Sequence, residues 1–256
     1  DVQKQSGPLY RRDAHAKAHG CLTATFTVRD DLPDTMRTGV FVPGHQYKAW
    51  IRFSNGNAAL QPDYDKDARG MAIKLMGVEG PKILDSPADK DAQTQDFLMI
   101  NFPVFFNRDP AEYERFIRYQ ADGSQFGYFF AGRNPLDWRW RELFIGGQPP
   151  GRLRHPLYAR YYRCTPPDGR PADVKDDDYL RRGLVEHLSK ADGCFEFLVQ
   201  LQDPSRDMPV EDPTVRWKES QSPFVPVDDI HIPSQEFDTP ARNTFCENLS
   251  FNPWHA

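Results

Sequence analysis

A short basic segment near the start of the chain contains the residues best suited to chemistry. It reads Arg12-Asp-Ala-His-Ala-Lys-Ala-His-Gly20 and places His15 and His19 just before an apolar strand. On a helix this spacing would suit metal ligation, but no glutamate follows as in HExxH, and Gly20 with the strand behind it opposes a helix. Taken alone, the segment is also typical of a solvated basic loop.

Further motifs follow in an order that resembles the haem catalases. Arg12-x-x-His15-Ala-Lys-x-x-Gly20 is similar to the motif that opens that family. The later matches are Ile51-Arg-Phe-Ser54, Asp67-Ala-Arg-Gly70, Asn101-x-Pro-x-Phe-Phe-x-Arg-Asp109 and, near the end, Glu247-Asn-Leu-Ser-Phe-Asn-Pro253. Arg52-Phe-Ser-Asn-Gly56 and Phe251-Asn-Pro-Trp-His255 look like the small catalase-related haem proteins of the catalase-like peroxidase branch. The resemblance covers about residues 9 to 256.

The resemblance implies a pocket for haem b (iron protoporphyrin IX), with His15 as its acid/base group. Cleavage of a peroxide O–O bond requires a proton to move from one oxygen to the other, and a histidine above the iron is suited to this transfer. A hydroxyl bonded to the other ring nitrogen would fix the ring, and the resemblance assigns that role to Ser54.

The resemblance also implies residues that would contact the macrocycle. Arg12 and Arg52 occupy family positions for the haem carboxylates, which guanidinium groups bind in a bidentate manner. The plain alternative for each arginine is an exposed surface ion pair. Phe105, Phe106 and Tyr113 would line the ring, although an aromatic run is equally typical of ordinary core.

An amide donor beside the peroxide would polarise it, and the resemblance suggests Asn101 for this role. Catalases carry two adjacent asparagines here. An ungapped comparison puts Ile100 at the first, catalytic position and Asn101 at the second. Either the strand shifts by one residue, or the donor is lost and catalase turnover is weak.

The iron ligand is not identified in this sequence. The family holds its iron through a tyrosinate in a segment that follows the Phe-Asn-Pro-Trp stretch, and this chain stops at Ala256. The proximal tyrosine is therefore expected beyond Ala256. We expect a single catalase-like haem-binding domain over residues 1–256, truncated at its C-terminus before the proximal ligand segment.

Alternating strands must position these residues. Apolar residues recur with period two in Leu22–Val28, Tyr47–Phe53 and Met71–Leu75, and Phe195–Leu201 reads as a further strand. With the resemblance, this predicts an α+β fold around an antiparallel β-barrel, with helices and a long wrapping segment.

Two helices are marked in the second half of the chain. Asp109, Pro110 and Glu112 predict a capped start for a helix that runs to about Ala121. The spacing of leucines predicts a second helix from Asp178 to Ala191, with a glycine stop at 193. The Pro-rich residues 203–256 predict extended chain around the body.

Composition limits the classes of function. A formal charge of −5 argues against nucleic-acid binding, which needs a basic surface. No apolar run approaches the roughly 20 residues that span a bilayer, so we expect no membrane span and a soluble chain, in the bacterial cytoplasm or periplasm. The four scattered cysteines form no zinc motif, and free thiols are favoured over a bridge.

The expected function is that of a haem-dependent peroxidase or catalase, an oxidoreductase that acts on hydrogen peroxide or organic hydroperoxides. An organic electron donor and further copies of the chain, as a homo-oligomer, are its expected partners. One rival is rearrangement of a fatty-acid hydroperoxide, as in allene oxide synthase, but a threonine precedes the distal histidine there and this chain has Ala14. Another rival is a non-catalytic haem-binding or haem-free scaffold, which the missing tyrosine favours.

Overall fold

A closed antiparallel barrel forms the body of the molecule. The structure, a computed structural model, describes residues 12–65, 67–83, 91–101, 103–121, 142–144, 157–161 and 175–252, with the backbone alone for 119–121, 142–144 and 157–161. In these ranges eight strands pair in chain order, and the last returns to pair with the first. They are β1 (Ala18–Val28), β2 (Gln46–Asn55), β3 (Arg69–Met76), β4 (Thr94–Ile100), β5 (Glu142–Phe144), β6 (Leu157–Tyr161), β7 (Gly193–Gln200) and β8 (Phe224–Ile232). The predicted α+β barrel is confirmed.

Three α-helices lie among the described residues: α1 (Pro110–Ala121), α2 (Tyr179–Leu188) and α3 (Pro240–Asn248). The start of α1 follows the prediction, since the Asp109 carboxylate accepts a hydrogen bond from the Glu112 N–H at 2.8 Å. Helix α2 ends at Leu188, three residues before the predicted end. None of the described helices is both long and apolar enough to cross a membrane.

The prediction of extended chain after residue 203 is wrong in part, because that segment contains β8 and α3. Proline misleads there for two physical reasons. In β8, Pro226 lies at a register shift in the pairing with β7, where a missing N–H is tolerated. In α3, Pro240 occupies the first turn, where the N–H needs no helical partner, and Thr239 caps the helix by accepting from the Arg242 N–H at 3.2 Å.

The two faces of each strand have different surroundings. Alternate side chains of β1, β2 and β3 point into the barrel, where Phe26 packs on Phe97 and Phe197 with ring centroids 6.0 and 5.3 Å apart. The other face of β2 carries Arg52 and Ser54, yet both are only 3% exposed. Their burial shows that this end of the outer face is covered, and residues 12–17 lie against it.

The cysteines only partly follow the prediction. Cys21 and Cys246 are free and buried. Cys194 is disulfide-bonded, so the expectation of free thiols is wrong for that residue.

Candidate functional site

The backbone of His15 is held in an uncommon conformation. Its φ is +57°, in the left-handed region that few residues other than glycine adopt. Its N–H donates to the Gly56 carbonyl at 2.9 Å, and its carbonyl accepts from the Arg52 guanidinium at 2.7 Å. Such backbone strain persists only where the surroundings enforce it, and it is concentrated at functional sites.

The imidazole of His15 lies against the outer face of β2 and β3. Its Nδ1 forms a hydrogen bond with the Ser54 hydroxyl, at 3.0 Å. Ser54 pairs across the sheet with Gly70, and a Cβ at Gly70 would lie 2.6 Å from the His15 ring. The ring therefore occupies the space that any side chain at position 70 would take, and the hydroxyl fixes its orientation.

His15 is neutral over most of the pH range. Its pKa is lowered to about 4, first by burial and then by the positive charges of Arg52 and Arg12, against a smaller rise from a hydrogen bond with the Asn55 backbone. A neutral imidazole can accept a proton, as an acid/base group must before it returns one.

Arg12 and Arg52 approach this site from two sides. The Arg12 guanidinium donates to the carbonyls of Cys246 and Glu247, both at 3.2 Å, and of Leu249, so it caps the end of α3. Among the described residues no carboxylate forms an ion pair with either arginine, and the Nε of each is buried without a hydrogen-bond partner. Each of these two guanidinium groups therefore has a buried N–H without a hydrogen-bond partner, and both groups lie close enough to His15 to affect its charge.

The two arginines are a secondary influence on a neighbouring thiol. The pKa of Cys246 is lowered to about 7, first by a hydrogen bond from Cys21 and then by the charges of Arg52 and Arg12. The pKa of Arg52 is itself lowered by burial and by Arg12. The local potential therefore favours an anion.

A buried ionic cluster anchors the segment that carries His15. Lys17 forms an ion pair with Asp63 at 2.9 Å, and Asp63 is fully buried. The same carboxylate accepts from the Asn55 amide at 3.1 Å and from the Leu180 N–H at 3.0 Å. One aspartate thus joins the His15 segment, the end of β2 and the start of α2.

The aromatic residues expected at the macrocycle do come together. Ring centroids of Phe105 and Tyr113 lie 6.0 Å apart, and those of Phe106 and Phe116 lie 4.7 Å apart. The pKa of Tyr113 is raised by burial and then by the charge of Asp13, so the cluster lies beside the His15 segment.

The Asn101 side chain bonds the backbone of β3, whereas the Ser54 hydroxyl bonds the His15 ring. The Asn101 side-chain oxygen accepts from the Arg69 N–H at 2.7 Å and so replaces a backbone bond of the sheet. Ile100, not Asn101, pairs with Gly70. Sequence reasoning gave no role to Gly70, because its position opposite Ser54 depends on the pairing of β2 with β3.

Other residues named in the sequence are dispersed. His19 is 2% exposed and lies 3.8 Å from Asp63, and burial lowers its pKa to about 3. The described part of the chain contains no group of three or more potential metal-binding side chains. The end of the Phe-Asn-Pro-Trp-His motif, residues 253–255, lies outside the described residues.

The segment with this geometry also matches known proteins. A family model described as Catalase matches residues 8–129. Catalase A of Pseudomonas putida is 25% identical over 256 residues, which cover 84% of this chain and 50% of that protein. This chain is related to the catalases. A catalase of an Onchocerca volvulus endobacterium is 24% identical over 261 residues, covering 86% of this catalase-related chain and 51% of the relative. The chain therefore spans about half the length of these relatives.

Solved structures agree on the fold of this catalase-related chain. A fungal catalase superposes with a TM-score of 0.66 at 18% identity, over 97% of this chain and 54% of the other. Catalase A from Saccharomyces cerevisiae superposes with a TM-score of 0.64 at 19% identity, over 96% of this chain and 56% of the other.

The residues of this catalase-related chain fit a haem. A haem b molecule carries two carboxylates, and the unpartnered Nε atoms of Arg12 and Arg52 offer buried donors of opposite charge. Beyond Arg52 on the same outer face lie Ala72 and Leu98, paired across β3 and β4. Leu98 is 39% exposed, which leaves an apolar surface next to His15 for a flat ring.

Proposed function

We propose that this chain is a haem-dependent peroxidase or catalase that acts on hydrogen peroxide or organic hydroperoxides. The hydrogen bond between His15 and Ser54, formed over the bare backbone of Gly70, is the observation that carries this proposal. It fixes a neutral imidazole in one orientation beside two unsatisfied arginines. Simple structural packing would not require a strained histidine backbone at that place.

His15 would move a proton between the two oxygens of the peroxide. Because Nδ1 is engaged by Ser54, Nε2 is the nitrogen that would take the proton from one oxygen and return it to the other. The haem, when bound, would supply the iron and the electrons for O–O cleavage. Since the pKa of His15 is about 4, the imidazole is ready as a base throughout the neutral range, and we expect activity to fall only as the pH approaches 4.

Arg12 and Arg52 would hold the haem carboxylates, and Phe105, Phe106 and Tyr113 would lie against the ring. The iron ligand in this proposal is a tyrosine expected beyond Ala256. An organic donor would return electrons in the peroxidase reaction. We also propose a homo-oligomer, which light scattering of the purified protein would test.

The test uses protein expressed from the complete reading frame and titrated with ferric haem. A Soret band that saturates at one haem per chain would support the cofactor, and peroxide consumption by the loaded protein would then be measured. His15→Gln should lower the rate by about 10²–10⁴ with haem binding intact. Ser54→Ala should lower it by about 10–100, whereas Ser54→Thr keeps the hydroxyl and should stay closer to the unmodified protein.

His231→Gln is the matched control, because His231 is exposed and its ring bonds Asp192 on the surface at 2.8 Å. It should keep the full rate. A protein that binds no haem would mean a haem-free scaffold, and full activity in the His15→Gln variant would remove His15 from the mechanism.

A further inference from the structure

Two cysteines meet between the barrel and the helix α3 that covers part of its outer face. Cys21 of β1 pairs with Arg52 of β2, so its side chain projects from the same face as the Arg52 guanidinium. Cys246 is the buried residue of α3, and its sulfur accepts a hydrogen bond from the Cys21 thiol. Both cysteines are free and buried. The two thiols are thus in contact although they lie near opposite ends of the chain.

Contacts on either side of the thiols hold α3 against the barrel. The Arg242 guanidinium donates to the Cys21 carbonyl at 3.3 Å and lies 4.9 Å from the centre of the Trp50 ring. The rings of Phe245 and Trp50 lie 4.5 Å apart. Because α3 has only nine residues and a single buried one, the thiols lie one helix below solvent. Local opening of such a short surface helix gives a small oxidant access to them.

The surroundings of the two thiols differ in charge. The pKa of Cys246 is lowered, first by the hydrogen bond from Cys21 and then by the charges of Arg52 and Arg12. The pKa of Cys21 is raised, first by the same hydrogen bond and then by burial. Since the thiolate is the form that attacks a peroxide, Cys246 has the environment of an attacking thiol and Cys21 that of its resolving partner.

We propose that Cys21 and Cys246 are a modification site, at which hydrogen peroxide oxidises the two thiols to a disulfide between β1 and α3. In the first step the Cys246 sulfur attacks one peroxide oxygen, the O–O bond breaks, and the other oxygen leaves with the thiol proton as water, so that a sulfenic acid forms. In the second step the Cys21 sulfur attacks the Cys246 sulfur, the S–O bond breaks, and the hydroxyl leaves with the Cys21 proton as water. The sum is 2 RSH + H₂O₂ → RSSR + 2 H₂O, in which the thiols are oxidised and the peroxide is reduced.

This reaction uses no haem, so it is independent of the proposed function. The new bond fastens α3 to the barrel, and α3 ends in the carbonyls that Arg12 caps. A disulfide restricts the unfolded chain more strongly as the loop that it closes grows, and the loop from Cys21 to Cys246 contains most of this chain. Oxidation should therefore stabilise the fold.

The first test maps disulfides in the unmodified full chain, with and without added haem. After exposure to hydrogen peroxide, blocking of free thiols and digestion, mass spectrometry should find a peptide that joins Cys21 to Cys246, and a reductant should remove it. The control is chain unfolded in urea before exposure. It should form this peptide at least about tenfold more slowly, because unfolding separates the thiols.

Two variants then separate the roles of the thiols. In Cys21→Ser the sulfenic acid has no thiol to react with, so dimedone, which labels sulfenic acids, should label Cys246. In the matched variant Cys246→Ser, Cys21 should stay unlabelled. Circular dichroism would show that both variants are folded, and the peptide map does not depend on either of them.

Urea unfolding gives a further readout. Peroxide should raise the midpoint of the unmodified chain by about 1 M and leave that of Cys246→Ser unchanged. The variant is a suitable control because it keeps the disulfide of Cys194. The proposal would be overturned by a folded chain without the linked peptide, by equal rates in folded and unfolded chain, by dimedone on Cys21 in place of Cys246, or by an unchanged midpoint.

Discussion

At the scale of single residues, the candidate site depends on the close packing of His15 against the backbone of neighbouring residues. His15 adopts a left-handed backbone, and its N–H and carbonyl are both held by partners in β2 and the turn after it. Its ring then fills the space above Gly70. Three short-range constraints thus fix one imidazole, so small changes of volume should affect it strongly.

Gly70→Ala tests this arrangement. The added methyl group would lie 2.6 Å from His15 and 3.1 Å from Ser54, so the imidazole must leave its bond with the hydroxyl. We expect peroxide turnover to fall by about tenfold or more, because a displacement of about 1 Å at a catalytic group has that effect. Steady-state kinetics would measure it.

Gly193→Ala is the control for a glycine in a strand, since its nearest neighbour would be at an ordinary 3.7 Å. It should keep both the rate and the fold. Equal activity in the two variants would show that His15 does not depend on Gly70.

At the scale of elements, one buried carboxylate connects the pieces that frame the site. Asp63 is fully buried and bonds Lys17 before β1, Asn55 at the end of β2 and the Leu180 N–H in the first turn of α2. The contact adds to the backbone hydrogen bond from the Asn55 N–H to the Lys17 carbonyl at 2.9 Å, and it ties the start of α2 to the paired strands β1 and β2.

Asp63→Asn should therefore destabilise the fold. The substitution removes the buried counter-ion of Lys17, which keeps its second ion pair with Asp178 at 2.9 Å, so the cost should lie below the about 3–5 kcal/mol of a fully broken buried pair. Urea unfolding at neutral pH would measure the loss.

The matched control is Asp34→Asn, because the Asp34 side chain is 91% exposed and pairs with Arg37 on the surface. That pair should contribute no more than about 1 kcal/mol. If the two substitutions had equal effects, the buried cluster would not organise the framework.

At the scale of the whole molecule, the barrel interior contains one unusual acid. Asp228 on β8 has 0% exposure, and its pKa is raised to about 10, first by burial and then by the charge of Asp229. The folded chain thus keeps this carboxyl protonated, whereas the unfolded chain ionises it above its ordinary pKa of 3.8. Its contribution to stability is complete below pH 3.8 and is lost as the pH rises toward 10.

Asp228→Asn removes this penalty. The variant should be more stable than the unmodified protein at pH 8, and the difference should shrink by about 1.4 kcal/mol for each unit as the pH falls toward 5. Urea titrations at several pH values would measure it.

Asp34→Asn again serves as the control, since the Asp34 side chain is 91% exposed and pairs with Arg37 on the surface. It should show no comparable dependence on pH. A pH-independent difference for Asp228→Asn would mean that Asp228 is ionised in the folded barrel.

The amino-acid sequence by itself determined the local features of this protein. Period-two alternation located β1, β2 and β3, because a half-buried strand needs apolar residues on one face only. The cap at Asp109 located the start of α1, because the free N–H groups of the first helical turn need a side-chain acceptor at the position just before the helix. The resemblance of the motifs around His15 and Ser54 to the haem catalases implied the pair that the fold brings to 3.0 Å.

Only the tertiary structure decided how separate strands face one another. Alternation says that Ile100 and Asn101 point to opposite faces, but not which of them lies beside Gly70, because register is set by pairing over long separations in sequence. Strand β8, which closes the barrel, was not predicted because it contains Pro226. A proline is tolerated there because the pairing of β7 with β8 shifts at that position, and this shift is visible only in the folded structure. The close contact between Gly70 and His15 likewise exists only once the chain has folded back on β3.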